Sequence, residues 1–317
     1  MKRIIIPTIV ILLLASCGGK NTPSSGREGG KNNPEKVSNY VAFLISEDLE
    51  DEYKTLFLFI DAKPEDRKNV WIDKNENGKK DSGEEITKFG LHYDKENELK
   101  FTAKKELRLH GKVTHLAGRT NFRFSKFTSG VNKDLTYLDL STNFMKEIDI
   151  SGLSNLQYLS LRNNVIEKLD LTKFHKLKVL DLGYTNYFST VLDNCTDLEY
   201  LDLSARYFSG FSMKHFTKLR TLIVRNNELE EFDVSTLTGL EGLDLTGNRM
   251  KKDALEKLYK SLPNRRGLVP GVLLIKGNPG AVLANHQLAQ DRNWQVDDTS
   301  ERLRPGMRRD NLPIVKW

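Results

Sequence analysis

The run Asp73-Lys74-Asn75-Glu76-Asn77-Gly78-Lys79-Lys80-Asp81-Ser82-Gly83-Glu84 concentrates hard oxygen donors in one short stretch. Asp73, Asn75 and Asn77 recur at alternate residues, Gly78 permits a sharp turn, the Lys79 backbone carbonyl follows, and Asp81 and Glu84 complete the set. In that order they can surround a structural Ca2+, with Glu84 reaching it through both carboxylate oxygens. Three features weigh against the cation: Val70-Trp71-Ile72 reads as a strand, Lys80 takes a position that usually packs, and three lysines lower the negative charge. The same residues also make a polar Asn-Gly hairpin turn, so both readings stand. Other chemistry is sparse. The histidines His92, His110, His115, His175, His215 and His286 are scattered, and no nucleophile with a base, metal cluster or phosphate-cradling glycine loop is recognisable. The sequence therefore predicts no catalytic residues and no enzyme, with no cofactor required and Ca2+ considered only as a structural ion of that loop. Cys17 and Cys195 are the two cysteines, too few for a disulfide framework.

The oxygen-rich run resembles the EF-hand calcium loop at positions one, three, five, six, nine and twelve. A second resemblance lies at the start of the chain. Lys2 and Arg3 precede an apolar run from Ile4 to Leu14, too short to span a bilayer but of export-signal form. Leu14-Ala15-Ser16-Cys17 then resembles a bacterial lipobox. That resemblance implies removal of residues 1–16 and acylation of Cys17, with several chains giving the stable anchoring that one chain lacks. Gly18, where aspartate would imply inner-membrane retention, points to the outer membrane. Residues 17–36 are Gly, Ser, Asn, Pro and charge, and read as a tether. The net charge of +6 draws on a basic tail at 299–317, which holds Arg302, Arg304, Arg308, Arg309 and Lys316. No basic stripe interleaved with aromatics accompanies it, which excludes a nucleic-acid signature.

Between these ends the organising signal is a repeat. Leu135/Leu138, Leu156/Leu159, Leu177/Leu180, Leu198/Leu201, Leu219/Leu222 and Leu240/Leu243 recur every 21 residues. A degenerate first unit begins at Val113 and Leu116, and a longer last one contains a helical stretch from Asp253 to Leu262 and the strand-like Leu273-Leu274-Ile275. This is the pattern of a leucine-rich repeat. It predicts an α/β solenoid, a horseshoe whose short parallel β-strands line the concave face and whose coils cannot bury their apolar edges alone. Asn143, Asn164, Asn227 and Asn248 occupy the turn position, where an amide satisfies open backbone groups; Thr185 and Arg206 replace it, predicting looser third and fourth coils. Cys195 falls on an inward position and is expected buried and inert. Residues 37–109, with Leu56-Phe57-Leu58-Phe59-Ile60 as a strand, read as a small β subdomain, 110–279 as repeats and 280–298 as a C-terminal cap.

Outward positions of the predicted strands fall into columns. Tyr137, Tyr158 and Tyr200 form one, Asp139, Asp181, Asp202 and Asp244 the next, with Arg162 and Arg225 beyond; Tyr184 and Tyr207 sit in the turns of the poorly matched units. Tyrosine and arginine dominate interface energetics, so these residues are the candidate partner-binding set. A solvated acidic ladder or a contact on the convex side or the N-terminal region is the competing reading. Lipobox, β segment, 21-residue units and the Ile-Lys-Gly-Asn-Pro-Gly ending together resemble internalin-like leucine-rich-repeat surface lipoproteins of bacteria. What the resemblance implies is a surface-exposed, lipid-anchored outer-membrane protein that recognises a protein or glycan, in adhesion to host cells or other bacteria. The alternative is a non-adhesive scaffold that faces the periplasm and assembles envelope proteins.

Overall fold

The computed structural model describes residues 39–45, 55–91, 94–102, 105–119, 124–185, 192–205 and 213–298, all within one compact unit. The export signal, Cys17, the tether, Arg206, Tyr207 and the basic tail lie outside the described residues.

The first nine strands are β1 (Tyr40–Ile45), β2 (Thr55–Asp61), β3 (Trp71–Asp73), β4 (Leu99–Thr102), β5 (Glu106–His110), β6 (His115–Ala117), β7 (Phe124–Ser129), β8 (Tyr137–Asp139) and β9 (Glu147–Asp149), the coils beginning at β6. The coils continue with β10 (Tyr158–Ser160), β11 (Val179–Asp181), β12 (Tyr200–Asp202), β13 (Thr221–Ile223) and β14 (Gly242–Asp244). Helix α1 (Lys252–Ser261), β15 (Gly271–Leu274), α2 (Gln287–Gln290) and β16 (Trp294–Asp297) complete the described chain. Two sheets result. The long one runs β16-β15-β14-β13-β12-β11-β10-β8-β6-β2-β4, and the short one β3-β5-β1-β7-β9.

From β6 to β16 the long sheet is parallel and in register, which makes the chain a leucine-rich-repeat solenoid by its own geometry. Leu116 pairs with Leu138, Leu138 with Leu159, and the column continues through Leu180, Leu201, Leu222, Leu243 and Leu273. All of these are buried in one continuous core. At roughly 1.5–3 kcal/mol for each buried leucine, the column is a principal source of stability, and it exists only because the coils stack.

The turn that ends each strand has a repeated chemistry. Asp139, Asp181, Asp202 and Asp244 each accept, through one carboxylate oxygen, the backbone N–H two residues on, at 2.8–3.0 Å. One residue further, the backbone turns left-handed at Thr142 (φ 56°), Asn163 (53°), Tyr184 (58°), Ala205 (51°), Asn226 (53°), Gly247 (72°) and Gly277 (78°). An asparagine follows and staples neighbouring coils. The Asn164 amide donates to Leu140 and Leu161 carbonyls at 2.9 Å and accepts from the Met145 N–H at 3.2 Å. Asn227, Asn248 and Asn278 repeat the donation one coil after another. Thr185 keeps part of it, its hydroxyl donating to the Leu182 carbonyl at 2.6 Å. The loosening predicted for the third and fourth coils concerns residues 186–191 and 206–212, outside the described residues. Cys195 takes the inward turn position that holds Leu153, Phe174, Phe216 and Leu237 elsewhere, and burial pushes its thiol up to about 12.

Two expected boundaries are not boundaries in the structure. The β segment does not fold apart from the repeats at residue 109. Strand β2 pairs antiparallel with β6, through Ile60 and Leu116, and so extends the repeat sheet itself, while β7 pairs with β9 on the return limb of the first coil. The physical reason is the exposed edge that a first coil would leave: β2 and β4 cover one face's edge, and β7, β1, β5 and β3 the other. At the far end, residues 280–298 are more than a cap, because β16 pairs with β15 as one further parallel strand. Trp294 packs so closely there that a Cβ on Gly271 would lie 2.6 Å from its ring. Helix α1, at the predicted site, buries Leu255, Leu258 and Tyr259 on its inner face.

Candidate recognition surface on the long sheet

The outer face of the long sheet carries the predicted columns, because side chains flanking each core leucine point away from it. Ring stacking dominates the first column. His115 stacks on Tyr137 with centroids 3.9 Å apart, and Tyr137 on Tyr158 at 4.0 Å. These rings do not form an open strip. Tyr137 is only 5% exposed, packed with Phe59 and Ala117, and Tyr158 and Tyr200 are half-buried. Burial, aided by Asp139, drives the hydroxyls of Tyr137 and Tyr158 well above their ordinary range. His115 was not singled out as a site residue from the sequence, although it lies 22 residues ahead of Tyr137 in the same register.

The acidic column is equally structural in part. Asp139, Asp202 and Asp244 are buried, each with one oxygen committed to its turn. What the remaining oxygens do differs along the sheet. Arg162 reaches across two strands, its Nη1 donating to Asp202 Oδ2 at 2.8 Å and lying 3.5 Å from Asp181 Oδ1. Arg225 lies 3.8 Å from Asp244. Burial opposes the Arg162 cation, but Asp181 and Asp202 outweigh it and raise its pKa. Asp181 is pushed up to about 7, by burial first and by the Asp202 charge second.

Tyr184 completes this cluster. Its backbone is left-handed, its ring is 38% exposed, and the Arg162 guanidinium carbon stands 4.7 Å above the ring. The Asn226 amide donates to its hydroxyl at 3.2 Å. Gly183 makes room for the arrangement, since a Cβ there would lie 2.5 Å from Arg162 Nη1. The structure thus gathers Arg162, Asp181, Tyr184 and Asp202, with the half-buried Tyr200 beside them, and adds Gly183 and Asn226, which the sequence did not mark. Tyr137, Asp139 and Tyr158 form a separate packed group, and Arg225 with Asp244 a third. His175 and His215 lie apart from all three, on the return limbs.

The oxygen-rich loop is closed on itself. Asp73 accepts the N–H groups of Asn77 (3.1 Å) and Gly78 (2.8 Å), and Glu84 those of Lys74 (2.8 Å) and Asp81 (2.9 Å). Asp81 receives the side-chain amides of Asn75 (2.8 Å) and Asn77 (2.6 Å), which hold its carboxyl below the usual range. Lys79 donates its own N–H to Asn77 Oδ1 at 2.7 Å. Among the described residues, no three His, Cys, Asp or Glu side chains are grouped as metal ligands. Asp73 and Glu84 are nevertheless buried carboxylates that form no ion pair with a described residue.

No protein-family model matches the chain, and no curated protein matches it in sequence. Solved structures with a related fold include the functional domain of InlJ from Listeria monocytogenes, 17% identical over 60% of this chain and 50% of that one, TM-score 0.44. A leucine-rich-repeat protein from Leptospira interrogans is 19% identical over 52% of this chain and 49% of that one, TM-score 0.43. An internalin C2 from Listeria monocytogenes is 20% identical over 59% and 80%, TM-score 0.44. The chain spans about half the length of the first two.

Proposed function

We propose that this chain is a non-catalytic recognition protein of the bacterial envelope, anchored in the outer membrane through acylated Cys17 and displaying the long sheet to a protein partner, as in adhesion. The observation that carries the reading is Tyr184. A tyrosine held exposed in a left-handed backbone costs roughly 1–2 kcal/mol, and the surroundings support it with an arginine over its face and an amide on its hydroxyl. Tyrosine and arginine presented together, already ordered, are what a partner's pocket gains most from.

The test is capture of surface proteins on the immobilised full chain. Tyr184→Ala and Arg162→Gln should each weaken capture about tenfold, whereas Val282→Ser, at an exposed position of the last coil, should leave it unchanged. Equal capture by all three rejects the site. Protease added to intact cells should remove the domain, and Cys17→Ser should release it from the membrane fraction; an intact, membrane-held Cys17→Ser variant rejects the anchoring.

The loop from Asp73 to Glu84 is part of the same proposal as a structural Ca2+ site. Asp73 and Glu84 are buried with both oxygens of each on backbone N–H groups, which holds them ordered as acceptors, and a bound divalent ion would add its attraction to those bonds. Millimolar CaCl2 should raise the melting temperature by several degrees, with about 2.7 kcal/mol expected at a hundredfold excess over Kd. A melting curve unmoved by CaCl2 or by chelator rejects it.

A further inference from the structure

A cleft of about 520 Å3 opens on the short sheet, away from the recognition surface, and its size is that of a small-ligand site. One wall is aromatic. Pairing of β3 with β5 sets Trp71 opposite His110, whose ring stacks on the indole at 4.1 Å and 6°. Beside it, Arg108 donates through Nη2 to Glu106 at 2.8 Å, while its buried Nε has no hydrogen-bond partner; the buried His110 Nε2 has none either. Orphaned polar atoms clustered at one wall call for a physical cause.

The rest of the lining is polar. Lys112 adds a second cation to Arg108, Asp66 one carboxylate, and Asn39 and Asn69 two amides. Bare backbone forms part of the wall: at Gly111 (φ 105°) a Cβ would lie 2.7 Å from the Asn69 carbonyl, and at Gly78 nothing lies within 4 Å of one. Glu106 engages only one nitrogen of Arg108, so its open Nε and the Lys112 ammonium favour an anionic ligand. Asp66 and the two asparagine amides, however, add acceptors and donors that sulfate or a simple carboxylate, having no hydroxyls, leaves unmatched. A neutral sugar, conversely, leaves the Lys112 ammonium and the Arg108 Nε without an anionic acceptor, since Glu106 answers only the Arg108 Nη2.

We propose that this cleft binds a hexuronic acid, its carboxylate on Arg108 and Lys112, its hydroxyls shared among Asp66, Asn69 and Asn39, and its C–H face against Trp71. The site is separate from the Tyr184 surface and stands or falls independently of it.

Titration calorimetry of the full chain with sodium galacturonate, galactose and acetate tests it. Galacturonate should bind at least ~10-fold more tightly than either of the others, because each lacks one of the two matched chemistries. Arg108→Gln should weaken galacturonate binding about tenfold and Lys112→Gln about threefold, with galactose unaffected. Lys112 is exposed, so its variant keeps the fold even if Arg108→Gln does not. Galacturonate binding no tighter than galactose or acetate, or unchanged in Lys112→Gln, or without heat at millimolar concentration, overturns the assignment.

Discussion

Gly183 decides whether Arg162 can lie across Asp181 and Asp202. In Gly183→Ala the new methyl collides with Arg162 Nη1, the far end of a flexible side chain, and with the two carboxylate tips at 3.0 and 3.2 Å. Those atoms can move, so a stability loss under about 1 kcal/mol is expected in urea denaturation. Partner capture should nonetheless fall about tenfold, because Arg162 leaves the Tyr184 ring. A variant that loses neither would dissociate Gly183 from the site. Asp181 gives the cluster a pH dependence with a definite sign. Its folded pKa is raised, so the native state holds the proton more tightly than the unfolded one. The contribution is complete below the unfolded value near 3.9 and is lost as pH rises towards about 7. Relative to Asp181→Asn, the wild type should therefore lose stability between about pH 4 and pH 7. A constant or opposite difference across that window contradicts the burial of an ionisable Asp181. None of this was legible in the sequence: the Asp column could be read, but not which oxygen the turn consumes, nor that a tyrosine takes the left-handed position also occupied by Gly247 and Gly277.

At the scale of the coil, the asparagine ladder makes a graded prediction. Asn164 serves four backbone groups on two coils, whereas Asn143, at the first full coil, serves three and its Oδ1 is buried without a partner. Asn164→Ala should cost about 2–4 kcal/mol in chemical denaturation, and Asn143→Ala less, since one fewer group is orphaned. Equal losses would show that the second coil's extra bond contributes nothing. The register of these coils was readable because one substitution pattern repeats every 21 residues, and each copy reports on the others. Strand β2 has no such copies. Its pairing with β6 joins Phe59 to Ala117 across a long stretch of chain, and an antiparallel contact of that kind leaves no period to detect. His115 shows the intermediate case: the register reached it, but its stacking on Tyr137 depended on how close the strands lie.

Taken whole, the described unit is one core with two differently furnished sheets. The long sheet places ordered aromatic and charged groups along an uninterrupted parallel wall, and the short sheet ends in the cleft beside Trp71. Both surfaces depend on the coils being stacked in the observed register. Side-chain oxidation by hydroxyl radicals reads exposure directly and tests the central claim that the partner lands on Tyr184. On binding, oxidation of Tyr184, now 38% exposed, should fall several-fold while that of Val282 and Leu283 in the last coil stays constant. Unchanged oxidation at Tyr184, with protection confined to the return limbs or the last coil, would contradict it.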